Sequence, residues 1–501
     1  MKGDISRDTY DKRKDFSRVL LQQGRVLLDS DWNEQIASLL HYVRTLAEDI
    51  IGQHAGPSHN LGFGVFQDNG LTPEEKQRLT ESGVLPLKPG DFFIGAGRYY
   101  VDGILCENHE VSTYLGQSGW PGTTPLAGNR TYLAYLDVYE HHVTPVEDDY
   151  IREKALGGPD TATRARVVAQ VRTTDRTPTG AELSGALTRD DVEQMWPGWT
   201  ELWQPSDRGY LRAQIAQNPA SKDPCNIAPD SKYRGAENQL YRVEIHRGGV
   251  AWDGAEQGDD QTRATFKWSR DNGSVLTALT GVEGDNLAVQ NARGFDADGW
   301  VEVVDDAREF RNEPGVLAKL TNVEGDTLTI DPATRSDTNI DLDSLTKVRR
   351  WDQRASGDVK LVGGVMRVEE GKWIPLEDGV EVFFAEPPDA AAGAQSTYRA
   401  GNYWLIPARV ATGNVEWPQT EVTDTDGEVS SEPRSLPPHG VEHHFAPLAI
   451  LRLNPATNAL GIIDCRCEFK PINDCEPDEL LSPIQSPLRQ APGRNPLTGG
   501  S

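Results

Sequence analysis

The sequence predicts a mainly β body led by an N-terminal strand-helix arm, and three observations predict it. First, 48 Gly and 32 Pro punctuate short β-branched and aromatic runs, the composition of many strands joined by turns. Second, several of those runs alternate apolar and polar residues with the two-residue period of a strand. Third, a sustained helical period occurs near the start, between Asp31 and Gly52. The expected organisation is an arm with an assembly helix at 1–60 and a large β domain in two parts, 61–275 and 349–470. A small barrel-like β module is inserted at 276–348, and a flexible Pro/Ser/Gly-rich tail covers 471–501.

In the arm, "DFSRVLLQQGRVLLDSD" joins two apolar runs, Val19–Leu21 and Val26–Leu28, across Gly24, and reads as a two-strand ribbon with a turn. Asp31 is the expected helix cap, with Glu34 reaching back to it. Trp32, Ile36, Leu39, Val43, Leu46 and Ile50 then follow in alternating steps of four and three. That is a stripe with a period of 3.5 residues, suited either to the domain's own core or to copies of the same helix. So short an arm has little core of its own and must borrow one.

Further on, "TPEEKQRLTESG" has a helix start at Thr72, with Pro73 at the first position and Glu75 closing a capping box. Strands are expected in "RTYLAYLDVYEHHV", "ATRARVVAQV" and "NQLYRVEIH". The segment "LTRDDVEQMWPGWTELW" reads as a short helix followed by an aromatic loop, and "ATFKWSRDNGSVLTAL" as a hairpin turning at DNG. "GVEGDNLAV" at 281–289 recurs as "NVEGDTLTI" at 322–330. This two-copy echo places two similar hairpins in the inserted module.

Composition removes several function classes. With 77 acidic against 50 basic residues the formal charge is −27, which repels phosphate backbones, so nucleic acid is not an expected partner. No apolar run is long enough to span a bilayer, and the charged start lacks a signal peptide's apolar stretch, so membrane insertion is not expected and synthesis in the cytoplasm is. Five cysteines give no even disulfide framework. Cys465, Cys467 and Cys475 are close enough in sequence to be weak zinc-ligand candidates, but C-x-C is not the usual spacing, and no cofactor is expected.

Motifs of catalysis do not survive physical scrutiny. "HGVEH" (439–443) has the letters of a zinc-peptidase helix, but Pro437, Pro438 and Gly440 oppose a helix there. The carboxylates Asp137, Glu140, Glu147, Asp148, Asp149, Glu153 and Asp160 are dense, but "EDDYIREKALGG" reads as a surface helix stopped by Gly157 and Gly158. No phosphate-binding loop or nucleophile elbow is present, and no enzyme activity is expected.

"MKGDISRDTYDKRKDFSRVLLQQGRVLLDSDWNEQ", "IREKALGGPDTATRARVVAQV", "YRGAENQLYRVEIH", "ATFKWSRDNGSV" and "YRAGNYWLIPAR…PHGVEHHFAPLAIL" together resemble the uncharacterised bacterial domain family DUF6519, in order from residue 1 to about 470. The resemblance implies an association with phage-tail-like contractile injection systems. The opening segment is also similar to the start of phage baseplate and tail-fibre proteins, where such a segment anchors a trimer. The expectation is a structural subunit of such a particle, at the baseplate or its fibre and spike attachments, with baseplate or spike proteins as partners and a homo-oligomer, a trimer by this likeness. The assembly residues are Arg25, Trp32, Asn33, Glu34, Ile36, Leu39, Val43, Leu46 and Ile50. The alternatives are a glycan- or cell-surface-binding module using Trp196, Trp199 and Trp203, a cargo protein of the particle, and a polysaccharide-cleaving enzyme.

Overall fold

The computed structural model describes residues 1–117, 123–205, 209–216, 232–253, 262–355, 359–386, 396–423, 429–454, 456–457 and 459–470. The tail at 471–501 lies outside them. The chain is mainly β, and its apolar residues collect into three main cores.

The first core lies under an antiparallel sheet in the order Ala459–Asp464, His444–Asn454, Thr131–Val143, Arg164–Thr174. Thr131–Val143 is covered on both faces, which explains its nearly unbroken apolar run. Ala134, Leu136 and Val138 face Tyr99, Val101 and Leu451. Leu133, on the opposite face, meets Trp199 and Val192 of helix α3 (Arg189–Trp203). Instead of stopping at an aromatic loop, α3 runs through Pro197, and its Trp side chains cover the sheet. A second sheet pairs His54–Pro57 in parallel with Glu468–Phe469, so the two ends of the described chain close one body.

The second core is a sandwich. Gln239–Arg247 is flanked by Thr265–Ser269 and Tyr403–Arg409, and these pack on a sheet of Tyr210–Ile215, Val380–Ala385 and Trp373–Pro375. The expected hairpin at DNG is a turn without a hairpin. Asn272 and Gly273 both have positive φ, but the strand after them, Leu276–Glu283, leaves the sandwich and enters the third core.

That third core is a closed six-stranded barrel, and it accounts for the sequence echo. Leu276–Glu283 pairs with Asn286–Val289, and Val316–Glu324 pairs with Thr327–Asp331. Each hairpin carries a register shift at the same place, between Leu279 and Gly281 in one and between Leu320 and Asn322 in the other. The two hairpins are joined through Asn286–Val289 and Thr327–Asp331, where Leu287 faces Leu328. Adding 41 to the first set of numbers yields the second, so the equivalent leucines lie across a local two-fold axis. Trp300–Val304 and Lys347–Trp351 close the barrel.

At the N-terminus, α1 spans Asp29–Ile51. It begins two residues earlier than the cap expected at Asp31, whose carboxylate instead accepts from the Leu28 N–H inside the first turn (3.2 Å). The arm ahead of it keeps the turn at Gly24, where Arg25 N–H donates to Gln22 (3.2 Å) and φ is +72°. Its two apolar runs make no ladder with one another or with the body, so the expected ribbon is an unpaired strap. The helix α2 (Pro73–Glu81) has the capping box foreseen at Thr72 and Glu75.

Candidate interaction surface

A helix lying on its own body turns its apolar stripe inward. In α1 the arrangement is reversed. Ser30 and Ser38 are 1% exposed, while Trp32, Leu46 and Ile50 are 61%, 60% and 68% exposed. Ile36, Leu39, Leu40, Tyr42 and Val43 are exposed beside them. Leu40 and Tyr42 escaped the sequence reading because they fall outside the 3.5-residue steps, on the flanks of the stripe. The strap adds Phe16, Leu20, Leu21, Val26, Leu27 and Leu28 to the exposed set.

What holds the inner face is polar. Ser6 donates to the Asp29 carboxylate through both N–H (2.8 Å) and Oγ (2.6 Å), and the Thr9 hydroxyl donates to Glu34. Val19 N–H donates to the Gln35 side chain (2.9 Å). Arg44 makes two bonds to Glu140 of Thr131–Val143, and a Cβ at Gly103 would lie 2.1 Å from the Arg44 carbonyl oxygen. Of the expected polar contacts, Glu34 is therefore used within the arm. Arg25 and Asn33 are exposed.

The segment before the strap is tied into a polar junction between the three cores, beside a cavity of about 300 Å³. The Met1 amino group donates to Tyr403 Oη (2.6 Å), and the Met1 and Gly3 carbonyls accept from Asn272 Nδ2 (3.3 and 2.9 Å). Lys2 reaches Glu244 at 3.4 Å and Glu309 at 3.5 Å, linking sandwich to barrel. Lys267 Nζ lies 2.5 Å from Glu302 and 4.3 Å from the centre of the Trp351 ring. Burial alone would raise the Glu302 and Glu309 carboxyls. The ammonium groups around them, Lys267 for Glu302 and Lys2 and Lys347 for Glu309, hold both below the ordinary range.

A family model described as a family of unknown function (DUF6519) matches residues 1–192 and 206–493. The chain belongs to the DUF6519 family. No curated protein and no solved structure matches this DUF6519 chain.

Several of the residues singled out for chemistry are engaged in packing and pairing in this DUF6519 chain. "HGVEH" is not helical; His443 Nδ1 lies 2.6 Å from Asp137, which also pairs with Arg172 at 2.9 Å. His444 Nδ1 lies 2.8 Å from Asp102. In the excursion 144–163 the expected surface helix is two single 3-10 turns, Asp149–Ile151 and Lys154–Leu156, each capped by the acid before it. Trp199 is fully buried, and Trp203 stacks on Tyr135 with ring centres 3.9 Å apart, so these tryptophans form core instead of an open stacking platform. Cys465 is buried and its Sγ contacts the Ile463 carbonyl (3.7 Å), while Cys467 Sγ accepts from Arg189 (3.2 Å). Cys475 lies outside the described residues. Among the described residues, Glu147, Asp306 and Glu309 have carboxylates spaced closely enough for a cation. The Lys347 ammonium sits among all three, bonded to Glu147 (2.6 Å), Glu309 (3.2 Å) and Asp306. Burial would lower Lys347, but these neighbours hold it above the ordinary lysine value.

Proposed function

We propose that this chain is a structural subunit of a phage-tail-like contractile particle, attached to neighbouring baseplate or spike components through its N-terminal arm. The observation that carries the reading is the reversed polarity of α1. Its serine face is buried, and its apolar face is in solvent. The α1 stripe and strap together expose fourteen large apolar side chains, from Phe16 to Ile50, more than the singly scattered apolar residues of an ordinary surface. A concentration of exposed apolar side chains of this kind marks an interaction surface. The place in a contractile particle comes from the likeness of the opening segment to baseplate and tail-fibre proteins.

A lipid surface is a poorer occupant, because interfacial helices carry Lys and Arg on their polar side. Here α1 carries Asp29, Asp31, Glu34, Glu48 and Asp49 against one Arg44. No helix among the described residues is long and apolar enough to cross a membrane.

The test is to purify contractile particles by sedimentation from cells expressing a tagged chain. The wild type is expected in the particle fraction at fixed stoichiometry. A Trp32→Asp, Leu46→Asp variant is expected to fold and remain outside it. A wild type absent from intact particles overturns the assignment.

A further inference from the structure

The seam on α1 holds more information than its apolarity. Setting Ile36 at position a of a seven-residue repeat places Ile36, Val43 and Ile50 at a, and Trp32, Leu39 and Leu46 at d. Asp29 takes the first a position, where Ser6 holds its carboxylate; the a residues after it are β-branched, and the d residues after Trp32 are leucines. That sorting favours two parallel strands, because β-branched side chains pack well in the a layers of a parallel pair and leucines in its d layers. Trimers favour isoleucine at both positions, and no d position holds one.

Burial agrees with the same frame. The residues turned toward the strap and body, Ser30, Ala37, Ser38 and Arg44, occupy b and c, opposite the seam. Docking therefore leaves the a/d face from Trp32 to Ile50 free for a partner, while Asp29 at the first a position is held by Ser6. In a parallel pair, each g residue lies beside the partner's e residue five positions later. Gln35 then meets Leu40, and Tyr42 meets Ala47; neither pair sets like charges together. Three heptads are short for a stable pair alone. The strap lies on the g side, where Val19 bonds Gln35, and brings further apolar surface beside the seam.

We propose that α1 pairs with α1 of a second copy of this chain as a parallel two-stranded coiled coil, making the building block a two-fold dimer. This rests on reading the arm as an assembly surface and names its occupant. It departs from the trimer implied by likeness to tail-fibre segments.

Sedimentation equilibrium on the full chain at about 10 µM tests the stoichiometry. The expected mass is twice that of the chain, falling to the monomer mass in a Leu39→Asp, Leu46→Asp variant with unchanged circular dichroism. Three times the chain mass, or a wild-type monomer, overturns the proposal. Orientation is read from Leu39→Cys, whose d layer meets itself only in a parallel, in-register pair. Oxidation is expected to give a covalent dimer for L39C and none for His41→Cys, on the opposite face. A dimer that L39C does not cross-link overturns the parallel arrangement. A monomer that floats with phosphatidylcholine/phosphatidylglycerol vesicles overturns it in favour of lipid. A chain monomeric in solution yet present in particles sinks the dimer and leaves the proposed function standing. A dimer absent from particles does the reverse.

Discussion

Arg44 and Glu140 join α1 to the first sheet by two hydrogen bonds, Nη2 to Oε1 at 2.9 Å and Nη1 to Oε2 at 3.3 Å. Both side chains are partly exposed, so the pair itself is worth about 0–1 kcal/mol. Its significance is positional, because the Arg44 backbone rests directly on Gly103, whose φ is +73°. A side chain there meets both a carbonyl and an unfavourable backbone region. Gly103→Val is expected to cost about 2–4 kcal/mol and to expose the end of α1 to protease. Urea titration and limited proteolysis check it; wild-type behaviour would show that α1 does not dock there.

Lys347 is the sole cation bonded to Glu147, Asp306 and Glu309 together among the described residues. Removing it takes the ammonium from the buried Glu147 carboxylate, while Glu309 keeps Lys2 and Arg349; breaking a buried pair typically costs about 3–5 kcal/mol. Lys347→Met is expected to lower the urea midpoint by that scale. Adding Glu147→Gln and Glu309→Gln should recover much of the loss. A triple variant no more stable than the single would mean that lost packing, not charge, sets the cost.

Acid sensitivity should begin before the carboxylates titrate. Burial, with Lys267 beside His246 and the N-terminal amino group and Arg349 near His142, pushes both imidazoles down to about 3. The unfolded chain takes up those protons near pH 6.5 and the folded chain does not, so their contribution is full above 6.5 and is lost as pH falls toward 3. The slope for a single such histidine approaches about 1.4 kcal/mol per pH unit. Glu302, held at about 2, and Glu309 add stability that is present above 4.5 and is lost below it as pH falls through their folded values. Urea midpoints measured from pH 8 to 4 should decline shallowly from about 8, because burial holds the Met1 amino group at about 4, and more steeply below about 6.5, less steeply in His246→Gln. A flat profile to pH 5 would contradict the burial of neutral imidazoles.

The barrel's internal symmetry makes a paired prediction. Leu287 and Leu328 are each fully buried and face one another. Leu287→Ala and Leu328→Ala should cost similar amounts, about 2–5 kcal/mol each. The double variant should cost less than their sum, since the two share one cavity. Thermal unfolding of the three variants reads this directly, and markedly unequal single costs would deny the equivalence.

Much of this architecture was legible because it is periodic. The Trp32–Ile50 stripe, the Thr72 cap and the 41-residue echo are local signals whose physics is complete within a few turns of chain. The polar junction was not. In "YRVEIH" the alternation of Arg242, Glu244 and His246 with Val243 and Ile245 suggests one wet face, yet all three polar residues are buried against the N-terminal segment and the barrel. A companion signal was present in "FKWS" and "KVRRW", where Lys267, Lys347 and Arg349 interrupt apolar strands, but their partners lie up to hundreds of residues away. The DNG turn misled for the same reason: the turn is local, while the sheet receiving the next strand is not. The short helix expected before an aromatic loop runs on through Pro197 to Trp203, where the packing of Trp199 and Trp203 sustains it.

The parallel pairing of Gly56 with Glu468 has a consequence for how the molecule is made. At about 5–20 residues per second, the strand at 468 leaves the ribosome roughly 20–80 s after the strand at 54. The first body cannot close during that interval, whereas the residues of α1 and of the barrel are synthesised well before its end. Under the proposed pairing, two chains growing on one messenger expose their seams to each other before either body is complete, so subunit pairing would precede tertiary closure.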